Sequence, residues 1–181
     1  MANLVKFEVN QDNVAIITLN DPKRLNALSL EMLDQLHEKI KELNEGNTGA
    51  RCLVITGEGR GFCSGANLMD RAGNNSFENF NPGEALEKYY HPMLIDLKNV
   101  NIPLITAVNG PAAGAGCSLA IFGDLIYASK SAYFYQAFKF IGLIPDASST
   151  YVLPRKIGMD LIKPIDVSKI IFKNWRKINN I

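Results

Sequence analysis

Two turns rich in glycine and alanine carry what this chain could do chemically without a reactive side chain. The first, NGPAAGAGCSLA at 109–120, follows an apolar run at 103–108 that reads as a buried strand. Strand, tight turn and helix is the implied order, since Ala115, Leu119 and Phe122 recur at helical spacing. Gly114 and Gly116 allow backbone to come close to a ligand, and the first amides of a helix lack intrahelical partners. Such a turn can hold an anion or a developing oxyanion, although small residues there equally serve close packing of helix on strand. The second turn, GRGFCSGANL at 59–68, follows the apolar strand at 52–56 and places Gly65 and Ala66 just past its end. Two loops could thus each offer one amide to the same oxygen.

Side-chain chemistry has less to draw on. His37 lies among Glu38, Lys39 and Lys41 and reads as part of a solvated helix face, while His91 precedes Pro92 in an apolar helical run. There is no other histidine, so a Ser-His-Asp or Cys-His mechanism has few partners, and neither Cys63 nor Ser64 has a base placed near it by sequence. Cys52, Cys63 and Cys117 show no metal-ligand spacing and read as small apolar packing residues. No metal site is expected. The odd cysteine count suits a reducing compartment, with the cytoplasm as the default.

The elements that must position these turns follow from patterning. The chain has 181 residues, 47% of them hydrophobic, which fits one domain with a substantial core. Nineteen basic residues against eighteen acidic ones leave a net charge of +1, which favours neither nucleic acid nor an anionic membrane as partner. The uncharged stretch 99–123 is long enough to span a bilayer, but prolines and glycines interrupt it, and a strand followed by a buried helix accounts for it better. Residues 4–9 and 13–19 read as a hairpin. Ser29 is placed to cap a helix whose apolar face is Leu30, Leu33, Leu36, Ile40 and Leu43, with Gly46 as its stop. Residues 71–83, rich in asparagine and glycine, predict a mobile loop, and helical spacing resumes from Glu84 to Leu97. A strand at 124–128 turns at Lys130 and Ser131 and continues into Tyr133, Phe134 and Tyr135. By patterning alone the fold class is α/β.

Three motifs in register, FCSGANL, AVNGPAAGAGCSLA and FIGLIPDASST, resemble the enoyl-CoA hydratase/isomerase, or crotonase, superfamily. The resemblance runs from about Val5 to Gly158, and YYHPMLIDL and AFKFIGLIPD look closest to the branch of ring-epoxide isomerases of phenylacetyl-CoA breakdown and related enoyl-CoA isomerases. It implies a superhelix of β-β-α units as a core at 1–158 and an acyl-CoA thioester as substrate, with no cofactor beyond the coenzyme A that the substrate carries. By motif position the amides of Ala66 and Ala115 would be the oxyanion donors. Lys23, Arg24, Leu25 and Ala27 match the loop lining the nucleotide end; Ala66, Asn67 and Leu68 match the segment beside the pantetheine and carbonyl. Ser64, Gly65, Gly114, Gly116 and Phe138 complete the expected binding set.

Hydratases of this superfamily use two carboxylates, and the matching positions here hold Ser118 and Phe138. Asp146, in GLIPD, stands where isomerase members carry an acid, and one carboxylate suffices to move a double bond. Phe138, Phe140 and Ile144 nearby would raise its pKa by removing water. An acid after Ile-Pro is also a common turn residue. The reading is therefore an enoyl-CoA isomerase; an idle acyl-CoA-binding protein and a hydratase with an atypical acid are the alternatives. Members generally continue some eighty residues further, with helices that cover the acyl pocket and join subunits into trimers. Residues 159–181 match none of these motifs and suggest a truncated or frame-shifted end, with a genuine alternative C-terminus as the other reading, and a weakened homo-oligomer; Ile170, Ile171, Trp175 and Ile178 could form an apolar helical face.

Overall fold

The computed structural model describes residues 2–67, 82–159 and 171–173. The predicted hairpin forms: β1 (Val5–Val9) pairs antiparallel with β2 (Val14–Leu19), and Asn10 Oδ1 accepts the amides of Asp12 and Val14 in the turn. β3 (Cys52–Gly57), β4 (Leu104–Val108) and β6 (Leu125–Ala128) extend it in parallel, giving the order β1-β2-β3-β4-β6. Strict alternation in β2 and β3 turns Ala15, Ile17, Leu19, Leu53 and Ile55 into the core.

Helix α1 (Leu30–Asn44) starts where predicted, with the Met32 amide donating to Ser29 Oγ at 3.0 Å, and buries Met32, Leu33, Leu36, Ile40 and Leu43. Against it packs a composite helix: α2 (Pro82–Ala85), a π-helical turn (Leu86–Tyr90) and α3 (His91–Lys98). Pro92 explains the wide turn, because it lacks an N–H and its ring would clash with the carbonyl four residues back in a regular helix. His37 is not a solvated residue: its Nε2 lies 2.7 Å from Asp96 Oδ2 and joins α1 to α3. His91 is exposed. The expected mobile loop lies outside the described residues up to 81, and Gly83 is helical.

In a second, smaller sheet, β5 (Ala112–Ala113) pairs in parallel with β7 (Tyr133–Tyr135), and β7 pairs antiparallel with β8 (Ile171–Lys173), giving the order β5-β7-β8. Two departures from the sequence reading follow. Tyr133–Tyr135 does not prolong the β6 strand, because its partner is the short strand inside the NGPAAGAG turn. Ile171, expected on a helical face, is in a strand whose cross-strand partner is Tyr135; Ile170, Trp175 and Ile178 lie outside the described residues. Helices α4 (Ala115–Ile121) and α5 (Ser149–Ile157) pack together, and α4 also packs against β5 and β7. No helix among the described residues is long and apolar enough to cross a membrane.

Asn26 ties the first loop to this frame. Fully buried and in the left-handed region at φ 55°, it accepts the Asp21 amide at 2.9 Å and donates to the carbonyls of Glu58, Gly61 and Phe62 at 3.0, 2.9 and 3.2 Å. Asn26→Ala strips buried carbonyls of their donor and should cost about 2–3 kcal/mol in urea unfolding. Lys23→Ala, at an exposed neighbour, should stay within about 0.5 kcal/mol.

Candidate active site

The two glycine-rich turns meet. Phe62 and Cys63 amides donate to Pro111 O at 3.0 and 3.1 Å, and Ala113 N donates back to Cys63 O at 2.9 Å. Gly116 fits against Cys63 so closely that a Cβ there would stand 2.4 Å from its carbonyl oxygen. Gly65, at φ +97°, lies against the other turn: a Cβ would sit 2.7 Å from Ala113 O and 3.5 Å from Ala115 N. Only glycine satisfies both the backbone angle and the space.

This pairing decides which amides remain available. Leu28 N donates to Gly65 O at 2.7 Å and Asn67 N to Leu28 O at 3.0 Å, a parallel bridge that steps over the amide of Ala66. Ala115 is the first residue of α4, so its N–H has no partner in the preceding turn. Neither N–H donates to any group among the described residues. Both residues line one cavity of about 210 Å³, walled by Tyr90, Tyr135, Phe138, Phe140 and Leu143, and among the described residues Asp146 is the only carboxylate on its lining.

Of the residues picked out by sequence, Ser64, Gly65, Ala66, Gly114, Ala115, Phe138 and Asp146 come together around this space. Gly116 does not; its close approach is to Cys63 rather than to a ligand. Lys23, Arg24, Leu25 and Ala27 lie beside the site, not on its wall. The loop that carries them is tied to it by Ser64 N to Leu25 O at 2.9 Å and Ser64 Oγ to Arg24 O at 3.0 Å. Arg24 also pairs with Asp21 at 3.1 Å, and Lys23 is exposed. Asn67 is buried next to the loop, and Leu68 lies outside the described residues. Of the three apolar residues expected to shield Asp146, only Phe138 is buried; Phe140 is 66% and Ile144 82% exposed. The sequence reading passed over Tyr90, whose wall position follows from the π-helical turn before Pro92, and Tyr135, which β7 places there.

Asp146 is followed by two non-glycine residues in the left-handed region, Ala147 at φ 47° and Ser148 at φ 66°. Each such residue costs on the order of 1–2 kcal/mol. The segment is held by its surroundings: Ala147 is buried, and the Ser149 amide donates to Asp146 O at 2.9 Å.

Two backbone amides and a carboxylate on the lining of one largely apolar pocket are the kinds of group needed to hold a carbonyl whose oxygen gains negative charge while a proton moves nearby. The comparisons agree with that class: residues 9–167 match the family described as enoyl-CoA hydratase/isomerase, and the chain belongs to it. It is 44% identical over 148 residues to the 1,2-epoxyphenylacetyl-CoA isomerase of Escherichia coli, covering 82% of this chain and 56% of that protein. It is 42% identical over 155 residues to a Rhodobacter capsulatus protein described as a probable enoyl-CoA hydratase, covering 86% and 57%. The crystal structure of an enoyl-CoA hydratase from Polaromonas sp. JS666 superposes with a TM-score of 0.82 at 30% identity, over 95% of this chain and 66% of that one. The fold is crotonase-like, and the chain spans a little over half the length of the curated relatives it matches.

The cysteines take no part in such chemistry. Cys63 and Cys117 are fully buried, and burial pushes both thiols from an ordinary 9.0 up to about 12. The thiolate is the nucleophile, so neither reacts near neutrality. Iodoacetamide at pH 8 should label the half-buried Cys52 in the folded protein and reach Cys63 and Cys117 only after denaturation, as peptide mass mapping would show. The unfolded thiols ionise near pH 9 while the folded ones stay protonated. Their contribution to stability should therefore be whole below pH 9.0 and be lost as pH rises toward about 12, measured by unfolding at stepped alkaline pH.

Proposed function

We propose that this chain is an acyl-CoA enzyme that moves a double bond within an enoyl-CoA by proton transfer through an oxyanion-stabilised enolate. The observation that carries the reading is the meeting of the Ala66 and Ala115 amides and the Asp146 carboxylate on one pocket. The Asp146 carboxylate takes a proton from the carbon next to the thioester carbonyl, and the electron pair of that C–H bond flows into the carbonyl. The oxygen gains charge between the two N–H groups. The Asp146 carboxylic acid then returns the proton at the far end of the conjugated system, the double bond shifts, and the carboxylate is regenerated. Atoms balance with no cofactor beyond the coenzyme A of the substrate.

Water addition needs a second acid–base group, and Ser118 and Phe138 hold the positions where resembling hydratases have their carboxylates. That supports isomerisation over hydration, and of the relatives the Escherichia coli protein carries an isomerase name. Lys23 and Arg24 would meet the phosphates of coenzyme A, with Asn67 and Leu68 beside its pantetheine arm. The assembly implied is a homo-oligomer, and residues 1–158 are the acyl-CoA core, with Ile171–Lys173 beyond them pairing to β7. A second reading, an idle acyl-CoA-binding protein, is favoured by the exposure of Phe140 on the pocket and of Ile144 in the turn before Asp146.

Conversion of a 3-enoyl-CoA to its 2-enoyl isomer, followed by the absorbance of the conjugated thioester, tests the proposal. Asp146→Asn should lose roughly 10²–10⁴ in kcat. Conversion unchanged in the variant would remove Asp146 from the mechanism. Binding of acyl-CoA without conversion by either protein would establish the idle reading.

A further inference from the structure

Beneath the pocket, the hydroxyl of Ser118 joins the two halves of the proposed machinery. Ser118 is 1% exposed and does not line the cavity. Its Oγ lies 3.2 Å from the main-chain oxygen of Asp146 and 3.4 Å from that of Gly114. A hydroxyl has one proton to give, and Gly114 O already accepts the Ser118 amide at 3.1 Å. Asp146 O in turn accepts the Ser149 amide at 2.9 Å, but it is the nearer of the two oxygens to the hydroxyl, and the bond to it is the one that joins segments 28 residues apart. One end of that link is α4, whose first residue presents the Ala115 amide; the other is the turn that carries the acid.

That turn needs holding. It continues through Ala147 and Ser148, both at positive φ, and the neighbouring Ile144 is 82% exposed and so anchors it little. Strained backbone persists where surrounding contacts over-determine it. We propose that Ser118 is a positioning residue, setting the distance between the oxyanion donor at Ala115 and the carboxylate of Asp146. The inference rests on the proposed reaction. At the position where resembling hydratases place an acid, this chain has a group that places an acid elsewhere.

The full chain is compared with Ser118→Ala, Ser118→Cys and Ser118→Thr. Cysteine keeps the shape but is a weak donor; threonine keeps the hydroxyl. The readouts are thermal unfolding, KM and kcat for the 3-enoyl-CoA, and the pH profile of kcat. Misplacing a reacting group by about 1 Å costs about 10²-fold, so Ser118→Ala and Ser118→Cys should lose roughly 10–100-fold in kcat with KM held within about 3-fold, and Ser118→Thr should recover most of it. The acidic limb of the pH profile should move in the alanine variant. A folded Ser118→Cys variant with the parent's kcat and pH profile would overturn the inference, as would a loss that merely tracks the folded fraction. If Ser118→Ala does not fold, the cysteine and threonine pair decides. Should Asp146→Asn abolish turnover while the Ser118 variants leave it intact, this inference alone fails. Should the parent chain not turn over at all, the proposed function fails and takes the inference with it.

Discussion

Cys63 and the turn at 111–116 grip each other through main-chain hydrogen bonds, and the rest of the site depends on that grip. Pro111 O takes two amides from the first loop, Cys63 O takes one from the second, and Gly116 has no side chain to keep the backbones apart. Hydrogen bonds between main chains are insensitive to most side-chain changes, so the spacing of the two loops is a property of the fold. The donors proposed for the oxyanion are then whatever amides that pattern leaves unused. Ala66 and Ala115 are those amides because the parallel bridge at Leu28 steps over one and helix α4 begins at the other.

The acid is held by different means. Asp146 sits in a turn with two positive-φ residues after it, bounded by buried Ala147 and the first turn of α5. A rigid pair of donors and a separately mounted carboxylate suit proton transfer between two carbons, because one group must serve both ends of the substrate while the oxygen stays fixed. Ser118 bridges the two mountings from a buried position. The pocket wall has aromatic rings from three sources, the π-helical turn, β7 and the 3-10 turn Ala137–Ile141, so its shape depends on how these elements meet.

Much of this was legible in the sequence. The hairpin, β3, β4, the Ser29-capped helix and the α4 turn each follow from local patterning, and the motifs FCSGANL, NGPAAGAG and GLIPD marked seven of the residues that line the pocket. Asn26 was not legible as a clamp, since the carbonyls it donates to lie more than thirty residues away and a lone asparagine in a loop looks like an ordinary turn residue. His37 was misjudged for the same reason: its charged sequence neighbours suggest solvent, while its partner Asp96 is distant in the chain.

The sequence by itself determined the family, the strand-turn-helix units and the types of group on offer: main-chain amides in glycine-rich turns, an acid in GLIPD and no histidine placed to serve it. Those are local matters, settled by periodicity, glycine and proline placement and residue chemistry. Only the tertiary structure decided that Gly116 contacts Cys63 instead of a ligand, that Tyr133–Tyr135 joins a second sheet, that Tyr90 faces the pocket and that Ser118 holds the turn of Asp146. Each of these depends on which distant segments come within a few ångströms of each other, and that is set by packing of the whole core, to which no single stretch of sequence corresponds.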